Sequence, residues 1–471
     1  MRRTVDIALA RGPEDTGASA TMPLPPMGML HVAASLERAG WRVAVVDAAG
    51  EGLDESGFTE RLRTLRPQVI GLSGMTPMRH LIARDLQRVR PLCERVVLGG
   101  VHATRLREQA LDEMPDLDAL VIGEGEASAA ALMSWWSAGG RGAPPPGVLV
   151  RGQPFVPAEV IEDLDALPWP ARHLVPHDRY RYVFQTRHRF TTMISSRGCP
   201  FRCTFCDKTI SGNAWRARSA DDVVCELEEI RGRYDIGSVC IFDDNFTLRR
   251  SRVEAICEEI LRRKLDIHWK CEARVDGITA ELARLMARAG CRTVAFGIES
   301  GNQHSLDFLN KDQDVETAGR AIAACREAGI ETVGYALVGI PGESPVESLE
   351  TLRFVRDADL DFIQFSTLSP FEGTQLYDLA RREGWYRQTS VLNPVDAEQS
   401  RATLLPPGWS EEQLDRTLRQ LYGGFYLRPG YLARQALRAR RDGVLTMRAR
   451  LGLEVARWCL GGRRVGRPAA A

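Results

Sequence analysis

Three cysteines, Cys199, Cys203 and Cys206, sit in the stretch SSRGCPFRCTFCDK with gaps of three and then two residues. A closed structural zinc site takes four ligands in a tetrahedron. The other eight cysteines, Cys93, Cys225, Cys240, Cys257, Cys271, Cys291, Cys325 and Cys459, fall singly in helical or strand patterns, so no second pair completes such a site. A cubane iron–sulfur cluster also has four irons to ligate. Three thiolates leave one of them open, and an open position is what a small molecule needs in order to bind the metal directly. The spacing therefore speaks for catalysis.

The elements around this loop must place it. Residues 189–385 alternate apolar runs (FTTMISS, VCIFDDN, HWKCEARV, TVAFGIES, ETVGYALVGIP, FIQFSTLSP) with amphipathic helical patterns at intervals of about 30 residues. Six such units predict a partial barrel of parallel strands, with chemistry at the strands' carboxyl ends. The cysteine loop follows the first of them. Residues 1–140 show a second strand–helix alternation and predict a doubly wound parallel sheet, so the chain is α/β. Its strand ends LSGMTPMR, LGGVHAT and IGEGE are expected to line one crevice. Between these units, residues 141–188 are proline-rich (GAPPPG, DLDALPWPARHLVP) and read as a linker and strap. Residues 386–471 form a helical, Arg-rich segment in which Val444, Met447, Leu451, Val455 and Trp458 recur at helical spacing. A helix covering the barrel is the first reading of it, and peripheral contact with anionic membrane the second. Phe425, Tyr426, Arg428 and Tyr431 of this segment are placed to close over a substrate.

The bulk numbers fit an ordinary globular enzyme. The 471 residues carry 62 Lys and Arg against 62 Asp and Glu, so no global charge drives the chain toward nucleic acid. No apolar run reaches the roughly 18 to 20 residues of a spanning helix, and the opening apolar run ends too soon for a signal peptide. A cytoplasmic protein with reduced thiols is expected.

The motif CPFRCTFC, with aromatic Phe205 before its third Cys, resembles the signature loop of the radical S-adenosylmethionine family. The resemblance covers residues 190–380 and implies a TIM-type radical barrel holding a 4Fe-4S cluster on Cys199, Cys203 and Cys206. In that family the open iron binds S-adenosylmethionine, and an electron from the cluster splits it to methionine and a 5'-deoxyadenosyl radical. Carried over by motif, Asp243 in FDDNFT lies near the cofactor's amino group, and Glu272 and Arg274 end the third strand. Arg274 is expected to meet the cofactor's carboxylate in a bidentate pair. Glu299 in FGIESGN is expected on the ribose, and VGIPGES, with Gly339 and Pro341, against adenine.

Taken with the barrel, the first unit resembles the Rossmann-like cobalamin-binding domain of cobalamin-dependent radical enzymes. The resemblance implies cobalamin contacts from Ser73, Gly74, Met75 and Thr76, from Gly99, Gly100, His102 and Thr104, and from Gly123, Glu124 and Gly125. The string Asp-x-His-x-x-Gly, which supplies an axial histidine in many cobalamin proteins, is absent. Base-off cobalamin without a protein histidine is therefore expected, with His31 a packing residue and His102 near the nucleotide tail. Both cofactors together imply radical methylation of an unactivated carbon of a small molecule such as a natural product, tetrapyrrole or lipid, fed by ferredoxin or flavodoxin. Oxidative cyclisation or ring rearrangement is the alternative, and a silent cofactor-binding sensor is the alternative of another class.

Overall fold

The computed structural model describes residues 4–13, 23–387, 404–441 and 445–459. Its first sheet has the order β2-β1-β3-β4-β5-β6, from strands β1 (Ile7–Arg11), β2 (Val43–Asp47), β3 (Val69–Ser73), β4 (Arg95–Gly99), β5 (Ala119–Val121) and β6 (Val148–Leu149). The first five are parallel and short, and their apolar residues are buried because helices cover both faces. The order reverses between β1 and β3, and ligands of such sheets sit beyond the strand ends at that point.

The sheet runs past residue 140. β6 pairs antiparallel with β5 inside the stretch that reads as linker. Prolines before it and Gly147 at φ 78° disguise the strand; a Cβ on Gly147 would stand 2.1 Å from the Ser128 hydroxyl. The strap that follows is fixed at two buried polar points. The Tyr180 hydroxyl donates to Asp47 at 2.8 Å, and Arg172 pairs with Glu226 at 2.5 Å with both side chains fully buried.

The second sheet has the order β14-β13-β12-β11-β10-β7, all parallel. Its strands are β7 (Phe190–Met193), β10 (Ser238–Ile241), β11 (His268–Ala273), β12 (Cys291–Glu299), β13 (Glu331–Val338) and β14 (Phe362–Thr367); β8 (Ser196–Arg197) and β9 (Arg216–Ala217) form a small ribbon. These are the six strands of the expected partial barrel. Along β11, Trp269, Cys271 and Ala273 pack under the helices, which turns Lys270 and Glu272 inward.

A barrel of six strands leaves an edge at β14, where unpaired N–H and C=O groups would invite aggregation. Here two tyrosines of the helix Glu411–Tyr426 take the place of a strand. The Tyr426 hydroxyl accepts from the Ile363 N–H at 2.9 Å and donates to the Ile363 carbonyl at 2.6 Å. The Tyr422 hydroxyl does the same with Phe365, at 3.1 and 2.9 Å. A capping box between Ser410 and Gln413 starts this helix. The helix Leu445–Cys459 then buries Val455 and Trp458 in the barrel's outer core, as a covering helix should. Val444 and the side chains of Met447 and Leu451 lie outside the described residues.

The two units are joined by charge. Arg197 of β8 donates to Glu124 at 2.8 Å and to Glu126 at 2.5 Å, while Arg216 of β9 donates to Glu124 at 2.9 and 3.1 Å. Burial alone raises the Glu124 carboxyl, but hydrogen bonds from Arg216 and Arg197, with their charge, outweigh it and hold the carboxyl below its ordinary value. A second tie runs from Arg105, on the helix Gly100–Leu106, to Asp207.

Two outcomes follow from these contacts. Replacing both Tyr422 and Tyr426 by Phe strands buried backbone groups and is expected to lower unfolding free energy by about 2–4 kcal/mol in a denaturant titration, at about 1–2 kcal/mol per hydroxyl. Glu124→Ala, which leaves the buried Arg216 guanidinium without a carboxylate and Arg197 with Glu126 alone, is expected to cost about 3–5 kcal/mol. Because the folded value of Glu124 is depressed, its contribution is fully present above the unfolded value of about 4.3 and is lost as pH falls through the folded one. Acid unfolding of Glu124→Gln should lack that component, and a variant curve parallel to wild type below pH about 4 would contradict the assignment.

Candidate active site

The ribbon β8–β9 frames the cysteine loop. Gly198 opens it at φ 82°, where a Cβ would lie 2.2 Å from the Ala214 carbonyl oxygen, so only glycine fits. Its N–H donates to Asp244 at 2.8 Å. Inside the loop the Lys208 ammonium donates to the carbonyls of Cys199 (2.9 Å) and Phe201 and to Asn213 (3.2 Å), which holds the chain curled around it. From outside, Thr204 and Asn310 tie the loop to the segment after β12: the Thr204 N–H donates to the Leu309 carbonyl at 3.0 Å, and Asn310 donates to the Arg202 carbonyl at 2.7 Å. Phe205 packs beside Leu309, Ile340 and Leu376.

Cys199 and Cys203 are half-buried and Cys206 is exposed. Burial pushes the Cys203 thiol up and the Cys206 thiol to about 11, and each is raised further by its neighbouring thiols. The three therefore share one electrostatic environment. Among the described residues, though, no three His, Cys, Asp or Glu side chains close around a single ion. Three thiolates on one loop would leave one iron of a four-iron cluster open.

The acids and bases at the strand ends divide into two groups. Asp243 is consumed by structure: it accepts from the Ser195 N–H and from the hydroxyls of Ser195 and Ser196, each at 2.6 Å. Its neighbour Asp244 lines the central cavity instead, with burial and the Asp243 charge raising its carboxyl. Arg274, expected to meet the cofactor's carboxylate, is engaged within the chain. It donates to Asp276 from Nε at 3.1 Å and from Nη2 at 2.9 Å, to the Lys311 carbonyl at 2.7 Å and to the Asp312 carbonyl at 2.5 Å, and it lies 3.6 Å above the Phe201 ring. Four of its five N–H donors are thereby engaged, and the residue positions the cysteine loop.

Glu299 holds φ 61° at an irregularity in the β12–β13 ladder, a conformation unusual for a non-glycine residue and frequent at functional sites. Its carboxylate accepts from Lys311 at 2.7 Å. The Lys311 charge in turn favours the Cys203 thiolate. Gly339 follows β13 at φ 84°, and Pro341 completes the turn before Glu343, whose carboxylate is tied down by Ser300 (3.0 Å), Ser305 (2.5 Å) and Ser348. Glu272 pairs with Lys270 inside the barrel. Lys270 also lies 5.4–5.9 Å from the rings of Tyr182, Phe184 and Phe242, so its charge is held in an aromatic box.

Between the two units lies a cavity of about 1430 Å³, above the usual range of single small-molecule sites. Ser73, Gly74, Met75, Gly99, Gly100, Gly123, Glu124 and Gly125 of the first unit line it. Gly123, at φ 78°, has nothing within 4 Å of where a Cβ would stand, so backbone faces open space there. That is a cradle suited to a broad planar ligand approached by main-chain atoms. Thr76, His102 and Thr104 are not on the wall. Thr104 instead accepts from the Gly123 N–H at 2.9 Å and braces one turn against another. His102, on the helix Gly100–Leu106, is wholly buried and is not on the cavity wall, although Gly100 and Val101 before it are. His31 does line the cavity; burial lowers it to about 4, and neither ring nitrogen has a partner among the described residues. Asp244, Arg197, Arg216, Lys208 and Lys311 were not singled out by sequence. The runs SRGCP and WRARS carried the two arginines, but nothing local shows that they face a glutamate 70 or more residues away.

Two family profiles match the chain, the Radical SAM superfamily over residues 193–355 and the B12 binding domain over residues 14–133. PH0819, an uncharacterized methyltransferase of Pyrococcus horikoshii, is 30% identical over 446 residues, covering 91% of this chain and 93% of that protein. The anaerobic magnesium-protoporphyrin IX monomethyl ester cyclase of Rubrivivax gelatinosus is also 30% identical, over 75% of this chain and 66% of the cyclase. Among solved structures, the radical S-adenosylmethionine methyltransferase TsrM from Kitasatospora setae, with cobalamin and a 4Fe-4S cluster bound, has the same fold: TM-score 0.71 at 20% identity, over 88% of this chain and 91% of that one. With a three-thiol loop at the end of a six-stranded barrel and a glycine-lined cavity whose wall includes Arg197 and Ser211 on that loop's flanks, the chain belongs to the cobalamin-dependent radical S-adenosylmethionine enzymes.

Proposed function

We propose that this enzyme methylates an unactivated carbon of a small molecule held between the barrel and the first unit. The observation that carries this reading is the double tie of the cysteine loop. Arg197, two residues before Cys199, and Asp207, directly after Cys206, are both paired to the elements bearing the first unit's glycine turns. The loop and the cavity are thus held in one rigid frame, as a reaction that needs two cofactors at a fixed separation requires.

When bound, the cluster, S-adenosylmethionine and cobalamin supply the radical and carry the methyl group. The chain binds and orients them. Cys199, Cys203 and Cys206 hold the cluster, Lys208 keeps their loop curled, and the Arg274–Phe201 stack fixes its far side. Asp244 and Glu299 are the carboxylates placed for the amino group and ribose of S-adenosylmethionine, and Gly339 to Pro341 offer backbone to adenine. The turns at Ser73–Met75, Gly99–Gly100 and Gly123–Gly125 approach cobalamin through main-chain atoms. The apolar surround, with Tyr182, Phe184 and Tyr335 on the wall, excludes water from a radical. A low-potential donor such as ferredoxin or flavodoxin supplies the electron. Oxidative cyclisation is the second reading, favoured by the likeness to the Rubrivivax cyclase.

Two measurements test this. After anaerobic reconstitution, a Cys199→Ala, Cys203→Ala, Cys206→Ala variant should lose iron yet retain cobalt; loss of both, or of neither, contradicts the assignment of two separate sites. With S-adenosylmethionine carrying a labelled methyl group, label should reach an extracted small molecule and S-adenosylhomocysteine should accumulate. Deoxyadenosine alone, with no labelled product, would select the cyclisation reading.

A further inference from the structure

The cavity continues beyond the space between the two units. Besides the glycine turns, its wall includes Tyr335 and Gln364 and residues of the carboxy-terminal helices Glu411–Tyr426, Pro429–Arg441 and Leu445–Cys459. There Leu427, Leu432 and Leu453 belong to the cavity wall and are also exposed, at 36%, 49% and 59%. Three large apolar side chains that face both cavity and solvent make a mouth, and one of unusual chemistry for a water-exposed rim. Arg428, not itself on the cavity wall, follows Leu427 in the chain. It is half-buried, lies 5.0 and 5.5 Å from the rings of Phe425 and Tyr431, and donates to the Phe425 carbonyl at 2.9 Å. Tyr431 itself lines the cavity. No carboxylate forms an ion pair with Arg428 among the described residues; burial and the nearby Arg356 and Arg434 disfavour its charge, and Asp359, already shared by two other arginines, offsets this in part. Arg434 shares Asp359 with Arg326, so the local charge is positive.

We propose that the substrate is an amphiphile whose apolar chain enters through the leucine mouth and whose anionic head rests at Arg428. This rests on the reading of the cavity as the substrate site. A large cavity with a mainly apolar wall rewards a chain at each methylene buried. An unpaired guanidinium on aromatic faces pairs with a carboxylate or phosphate. The two head chemistries are alike at this site, and the test separates them.

The test is equilibrium dialysis of the cobalt- and iron-loaded enzyme against radiolabelled palmitate, farnesyl phosphate and the neutral farnesol. Both anions should be retained near stoichiometrically and farnesol about ten-fold more weakly. Palmitate binding without farnesyl phosphate, or the reverse, identifies the head the site takes. A Leu432→Glu, Leu453→Glu double variant should weaken every probe about ten-fold or more, because each places a charge in the apolar mouth. Arg428→Glu should bring the anions down to farnesol and leave farnesol unchanged. Cobalt and iron content reports that each variant is folded. Retention of none of the three, or retention that survives the leucine variant, overturns the site; anion binding that survives Arg428→Glu, or farnesol bound as tightly as the anions, overturns the head. An enzyme that transfers methyl but retains no probe fails this inference alone, and one that retains the anions but transfers none fails the methylation reading alone.

Discussion

The structure depends on a pair of glutamates answering a pair of arginines across the boundary between two sheets. Glu124 and Glu126 come from the turn after β5 and the start of its helix; Arg197 and Arg216 come from the ribbon around the thiols. Buried pairs of this kind contribute little net stability, because removing four charges from water offsets most of their attraction. What they fix is geometry. A planar guanidinium donates to a carboxylate in few orientations, so the contact sets the cysteine loop's place relative to the glycine turns more strictly than apolar packing alone would. The Arg172–Glu226–Arg218 group repeats the device under the strap, and there the charges are almost wholly buried.

Charge inside the barrel follows a related logic. Lys270 and Glu272, two residues apart on one strand, neutralise each other within an aromatic surround, and Tyr335 stands 3.5 Å from the same carboxylate. Lys311 and Glu299 form the matching pair at the strand ends, beside Cys203. These two pairs neutralise their own charge inside the barrel and at its strand ends.

Much of this was legible in the sequence. The three-thiol spacing, the βα periodicity and the glycine-ended strands each report a local requirement: ligand number, helix and sheet period, and close backbone approach. The strands that carry Cys199, Asp243, Glu272 and Glu299 stand in the sheet in the order their pattern predicts. The rest was not legible for one reason. Whether Asp243, Arg274, Glu124 or His102 faces a ligand or a structural partner depends on side chains far away in sequence, and a carboxylate at a strand end reads the same in either case. Asp243 turns toward two serines while Asp244 turns to the cavity, a choice made by the pleat and by the path of the loop. β6 was hidden because a two-residue strand is too short to show alternation.

The tyrosine closure of β14 bears on how such an enzyme changes over time. A seventh strand would have to match register along its length, and any substitution would have to respect alternating faces. Two hydroxyls at the right height satisfy the edge without register, so the helices above them are free to drift in sequence and tilt. The cofactor frame and the outer wall are then inherited separately. One catalytic body can be refitted to a new molecule by recasting its last helices, and the thiols need never move.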